Sequence, residues 1–129
     1  MDDEFSTITQ IIKDGFFPKN VTNEIEVEKE LVNFLSYKFP GMVIYPGHTS
    51  TGIRIDIVIY GTYAIEVVLV DSESRLISFM HQILDIKKDF SDTLVILVDI
   101  DQVSADLIQK YAAQCEKIGI ATILKNIIH

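Results

Sequence analysis

Ile53-Arg54-Ile55-Asp56-Ile57-Val58-Ile59-Tyr60, then Gly61-Thr62, then Tyr63-Ala64-Ile65-Glu66-Val67-Val68-Leu69-Val70 is the stretch on which the fold turns. Both runs are rich in β-branched and aromatic residues, and a Gly-containing dipeptide separates them. That pattern predicts antiparallel strands over Ile53–Tyr60 and Tyr63–Val70. In the first, Ile53, Ile55, Ile57 and Ile59 alternate with Arg54, Asp56, Val58 and Tyr60. In the second, Ala64, Glu66, Val68 and Val70 share one face, and Ile65, Val67 and Leu69 the other. After Arg54, Asp56 and Glu66 are the only charges in either strand. A carboxylate inside an apolar strand costs several kcal/mol unless it is hydrogen-bonded, paired or cation-bound. Register decides whether the two meet. A two-residue turn would pair Asp56 with Val67 and put Glu66 on the opposite face. A three-residue loop or a bulge would bring Asp56 and Glu66 to one face. We therefore expect an odd loop or a bulge, with Gly61 or Thr62 in an unusual backbone state. Converging carboxylates repel, and a hard divalent cation, Mg²⁺ or Mn²⁺, would relieve that repulsion.

Working outward, residues 1–22 read as a short amphipathic helix carrying Phe5, Ile8, Ile11 and Ile12, followed by a loop after Gly15 and Pro18. A second helix begins near Asn23, a suitable N-cap, with Glu24 and Glu26 in its first turn. Val27, Leu31, Phe34 and Leu35 form its apolar stripe, and Pro40-Gly41 ends it. Met42–Tyr45 reads as a short strand closed by Pro46-Gly47, with a polar loop over His48–Gly52. Beyond the two central strands, a helix is expected from about Ser74 to Phe90. Leu94–Val98 is an apolar strand, Gln102–Ile118 a helix with Gly119 as its C-cap, and Ile120–Leu124 the last strand. The expectation is one α/β domain over residues 1–129 with a mixed sheet.

Composition narrows the function classes. The chain has 129 residues, 48% hydrophobic and 23% charged, in the range of a globular domain with its own core. Nineteen Asp and Glu against eleven Lys and Arg give a net charge of −8. Such a surface repels phosphate and anionic lipid, which counts against simple electrostatic nucleic-acid binding and against a membrane partner. A lone Cys115 and three scattered His make no Cys/His metal cluster. The start Met1-Asp2-Asp3-Glu4 lacks the basic residues of a signal peptide, so a cytoplasmic, soluble protein is expected.

The order helix, meander, helix, strand, with Ile55-Asp56-Ile57-Val58-Ile59 and Ile65-Glu66-Val67-Val68, resembles the PD-(D/E)xK nuclease superfamily. Within it, the chain is most similar to archaeal Holliday-junction resolvases and their relatives. Glu28-Lys29-Glu30-Leu31-Val32-Asn33-Phe34-Leu35 resembles their first helix, whose motif glutamate falls on Glu28. His81-Gln82-Ile83-Leu84-Asp85-Ile86-Lys87-Lys88-Asp89-Phe90 resembles the later helix with its glutamine, here Gln82. The resemblance spans roughly residues 24–125. It implies a restriction-endonuclease-like α-βββ-α-β core (residues 23–125 with a C-terminal helix–strand extension) behind an extra N-terminal helix. It further implies phosphodiester hydrolysis assisted by Mg²⁺ or Mn²⁺, with Glu28, Asp56 and Glu66 as metal ligands and catalytic groups. Gln82 would orient water or phosphate. The implied partners are branched or duplex DNA and a second copy of the chain.

One position departs from that pattern. The motif lysine, two residues after the glutamate, is Val68 here. Arg75, Lys87 and Lys88 are the candidates to replace its charge. Removing Glu28, Asp56 and Glu66 from the total still leaves −5, so site ligands do not explain the acidity. Plainer readings stand beside these. Glu28 belongs to the run Glu24-Glu26-Glu28-Glu30, where Glu30 competes for the same role and the whole run could face solvent. Asp56 could pair with Arg54 or cap a backbone amide, and Gln82 could be an ordinary exposed helix residue. Two functions therefore remain open: a metal-dependent DNA endonuclease or resolvase-like enzyme, or a catalytically degenerate relative serving as a dimerising or partner-binding module.

Overall fold

The computed structural model describes residues 3–127. The order is α1 (Glu4–Gly15), α2 (Glu24–Lys38), β1 (Ile44–His48), β2 (Arg54–Ile59), β3 (Tyr63–Val70), α3 (Glu73–Asp89), β4 (Asp92–Asp99), α4 (Ala105–Lys117) and β5 (Ala121–Asn126). This is an α/β fold with a mixed five-stranded sheet in the order β1-β2-β3-β4-β5. The first three strands are antiparallel neighbours, and β3, β4 and β5 run parallel. Every helix starts on a side chain that accepts a backbone N–H: Asp3 from Ser6, Asn23 from Glu26, Ser72 from Arg75 and Ser104 from Leu107. Such caps are each worth about 1 kcal/mol, and they fix where each helix begins.

Alternation along the parallel strands builds a core on each face of the sheet. Ile65, Val67 and Leu69 of β3, with Leu94, Ile96 and Val98 of β4, pack with buried residues of α1 and α2. Ala64, Val68 and Val70, with Val95 and Leu97, pack with buried residues of α3 and α4. Cys115 belongs to that second cluster, its sulfur 3.6 Å from the Met80 sulfur, as an inert core thiol. Gly119 ends α4 with φ +82°, as its place in the sequence predicts. Among the described residues no helix is long and apolar enough to cross a membrane.

Two expectations are corrected. The strand anticipated to stop at Tyr45 runs through Pro46 and Gly47 to His48. The regular alternation anticipated for β2 also breaks. Ile57 and Ile59 face the α1/α2 core, but Ile55 joins Val58 on the α3/α4 side. Pairing shows why: Tyr45 lies opposite Val58 and Gly47 opposite Ile55, so β2 carries one residue more than β1 over this interval. That is a β-bulge at Asp56-Ile57. It sits against Pro46, which has no N–H for a ladder, and Gly47, where an added Cβ would come within 2.6 Å of a Val58 methyl.

Candidate functional site

The turn between β2 and β3 has the odd length that the carboxylates require. Ile59 pairs with Tyr63, leaving the three-residue loop Tyr60-Gly61-Thr62, with Tyr60 at φ 54° and Gly61 at φ 65°. The unusual backbone therefore lies at Gly61, as expected, and also at Tyr60. This register points Asp56 at Glu66, but the ladder ends one step earlier, at Ile57 opposite Ile65. There the strands part. The bulge turns Asp56 toward α2, and Glu66 reaches in from the other face of the sheet. The two carboxyls meet in the gap between strands rather than on one face.

Parting leaves β3 with N–H groups that β2 no longer covers, and an unpaired buried N–H is costly. Acidic side chains take them up. Asp56 Oδ2 accepts from the Val67 N–H at 2.8 Å, and Glu24 Oε1 accepts from the Leu69 N–H at 3.0 Å. In return Glu66 Oε1 accepts from the Asp56 N–H at 2.8 Å. Asp56 and Glu66 thus clasp each other's strands.

Glu28, one turn beyond Glu24 on α2, completes the carboxylate group. Arg54, two residues before Asp56, bridges it to the strand: Nη1 donates to Asp56 Oδ1 at 2.8 Å and Nη2 to Glu28 Oε1 at 3.4 Å. The Arg54 side chain is 56% exposed, while those of Glu28 and Asp56 are 12% exposed. Arg75, at the start of α3, forks onto Glu24 at 2.9 and 3.2 Å. Burial and the Asp56 charge push the Glu66 carboxyl up to about 9, so it holds its proton at neutral pH. Asp56 is raised by burial, against the hydrogen bond from Val67 and the charge of Arg54. Glu28 is raised by burial and by Asp56.

The structure therefore brings together Glu28, Asp56 and Glu66. It does not bring Gln82 to them: that residue is exposed on α3 and hydrogen-bonded to none of the three. Glu30 points elsewhere, accepting from the Lys19 N–H at 3.4 Å. Val68 is fully buried under α3. Lys87 donates to the backbone oxygens of Ser91 and Gly119, and Lys88 pairs with Asp85, so neither supplies the missing charge. Against burial, which lowers it, the Arg75 pKa is raised chiefly by the hydrogen bond and charge of Glu24, and that carboxylate takes its guanidinium. The cation in direct contact with the centre is Arg54. Its signal was visible: in a strand, residues two apart share a side, so Arg54 and Asp56 are spaced to pair. Glu24 was also legible, since it and Glu28 are spaced i, i+4 on one helix face.

As folded, the centre does not fit a metal ion. Asp56 Oδ2 and Glu66 Oε1 are committed to backbone N–H groups, and the Arg54 guanidinium lies between Glu28 and Asp56 where a cation would bind. Among the described residues no group of three or more His, Cys, Asp or Glu is spaced to hold a metal. A cleft of about 560 Å³ opens at the centre, its lining including Glu28, Arg54 and Asp56 together with Ile25, Val32 and Ile57. No family model, curated protein or solved structure matches this chain. The geometry stands alone.

Proposed function

We propose that the chain is a restriction-endonuclease-like protein of the PD-(D/E)xK kind whose centre is closed by its own arginine. On this reading it is a catalytically degenerate, partner-binding module, and the partner that the resemblance implies is nucleic acid, bound without hydrolysis against an overall charge of −8. The element order supports the resemblance: a helix with Glu28, a three-stranded meander with Asp56 and Glu66, then α3–β4 and α4–β5. One observation carries the loss of catalysis. The Arg54 guanidinium bonds both Glu28 and Asp56 and so neutralises the charge that would recruit a divalent cation. Val68 adds to this, because the position of the motif lysine is sealed in the core under α3.

A second reading, a Mg²⁺- or Mn²⁺-dependent DNA endonuclease, has an observation of its own. Glu66 is buried where its charge costs most, and its carboxyl is pushed up to about 9. Strongly perturbed groups in a cleft often mark function, although structural networks perturb them too. Arg54 is exposed enough to swing aside.

Incubation with branched, single-stranded and duplex DNA, with and without Mg²⁺ or Mn²⁺, separates the two. The first reading expects binding in chelator and no cleavage by the wild type. Arg54→Ala tests the closure, because it frees Glu28 and Asp56 without touching the core. Cleavage by the wild type that Asp56→Ala abolishes would overturn the proposal in favour of the enzyme.

A further inference from the structure

We propose that single-stranded nucleic acid lies along the outer face of α2, from the carboxylate centre to an aromatic, lysine-rich patch at that helix's far end. The proposal rests on the nucleic-acid reading above and adds to it a strand type and a path. The patch surrounds a second cleft, of about 390 Å³, whose lining includes Phe17, Phe34 and Tyr37. Tyr37 is 81% exposed, the most exposed of the large apolar side chains, and Phe17 is 48% exposed. Ammonium groups stand beside these rings. The Lys38 Nζ is 6.0 Å from the Tyr37 ring centre, and the Lys125 Nζ is 4.1 Å from that of Phe17.

Charge sets this surface apart from the rest of the chain. The molecule carries −8 overall, yet Lys13, Lys19 and Lys38 are exposed on the segments that border this cleft, against Asp14 and Glu30, while Lys125 is buried with its ammonium donating to the Lys13 carbonyl oxygen at 2.6 Å. Exposed rings interleaved with lysines match the chemistry of single-strand binding, where bases stack on aromatic faces and ammonium groups follow the phosphates. A duplex hides its base faces and cannot use exposed rings in this way.

The patch is joined to the centre. Asn33 lines both clefts, and Lys29 lines the one that reaches Arg54. Lys29, Asn33 and Tyr37 are spaced i, i+4 and i+8, so they form one exposed stripe along α2. That stripe carries a cation, an amide and a ring, with the Glu30 carboxylate lining the second cleft beside them. An acidic peptide would use the lysines but would leave the exposed rings unexplained.

The test is fluorescence anisotropy of a labelled single strand of about 15 nucleotides, a length suited to sites of this kind. A duplex of the same length and a polyglutamate peptide run beside it over a series of salt concentrations. Tyr37→Ser is expected to weaken single-strand binding about tenfold, and Lys38→Gln to lower the log–log salt slope by about 0.7. Lys110→Gln, on α4, is the control and is expected to change neither. Both test residues are exposed, so circular dichroism should show the variants folded. Binding of the single strand that is indifferent to Tyr37 and Lys38 overturns the α2 path and leaves the nucleic-acid reading standing. Equal or tighter binding of the duplex overturns the single-strand assignment. Binding of polyglutamate alone, or of nothing, overturns both the path and the reading beneath it.

Discussion

The two edges of β3 make a natural contrast. On one side β3 pairs with β4 in unbroken parallel register, from Tyr63 opposite Asp92 to Val70 opposite Asp99. On the other it pairs with β2 only from Tyr63 to Ile65, and the strands then separate. The first edge satisfies its polar backbone by continuing the ladder and fills its faces with Val, Ile and Leu. The second satisfies the Val67 and Leu69 N–H groups with the carboxylates of Asp56 and Glu24. The difference separates what makes the chain fold from what makes a place on it unusual. The ladder is stable because it is dry and apolar. The gap holds together only because four acids and two arginines satisfy one another.

The largest effect is expected on the ladder side. Ile96 is fully buried in β4, so Ile96→Ala removes apolar contacts and leaves a cavity. The expected loss is about 2–5 kcal/mol in chemical denaturation. If that loss proved smaller than those from changing the gap residues, the division of labour between the two edges would be wrong.

The next effect comes from protons in the gap. Glu66 is raised from 4.5 to about 9 in the folded chain, and Asp56 and Glu28 are raised as well. A folded pKa above the unfolded one means that the folded state binds the proton more tightly. This stabilisation is full below about pH 4.5 and is lost as pH rises toward 9. Stability should therefore fall as pH rises across that window. Glu66→Gln keeps an acceptor for the Asp56 N–H and removes the titration. Its denaturation midpoint should change less with pH and should exceed that of the wild type at pH 8. An unchanged slope in this variant would place the linked proton elsewhere.

The same contrast explains what the sequence could reveal. Runs such as Leu94–Val98 announce a buried strand, and Asn23, Gly119 and the helical stripes place their elements within a few residues, because local patterning decides them. The converging carboxylates were readable from cost: two acids in apolar strands need a loop of odd length, and the loop is there. An odd loop or a bulge was expected between β2 and β3, but the bulge of β2 against β1 was not readable. It lies where Pro46 faces Asp56-Ile57 and Gly47 faces Ile55, a contact between strands that no single run of residues displays. That second irregularity is what hid how Asp56 and Glu66 meet. The substitute for the motif lysine was sought downstream, at Arg75, Lys87 and Lys88, whereas the plainer expectation, that Asp56 pairs with Arg54 or accepts from a backbone amide, is what the structure shows.

Glu24 offers a smaller test of the gap. Its side chain accepts from the Leu69 N–H and holds Arg75, so Glu24→Ala orphans both. The Glu24 side chain is 29% exposed, which lets water replace part of what is lost. The expected cost is about 1 kcal/mol, below the penalty for a sealed unpaired donor. Hydrogen exchange gives the sharper measurement, since the Leu69 amide should exchange faster in Glu24→Ala while the amides between β3 and β4 keep their protection. Equal acceleration on both edges of β3 would mean that the carboxylates support the whole sheet rather than its open side.

The smallest effect is the one that shows charge alone is not what distinguishes the gap. Asp85 and Lys88 also form an ion pair, at 3.6 Å, but on the outer surface of α3 with the lysine 77% exposed. Water screens such a pair and competes for both partners, and neither oxygen substitutes for a strand in a ladder. Asp85→Ala should shift stability by no more than about 0.5 kcal/mol, with no change in the pH slope that Glu66→Gln flattens. A cost comparable to that of Glu24→Ala would show that acids on this chain act by general charge balance. A negligible cost keeps the effect where the backbone is open, because there a carboxylate replaces the missing strand.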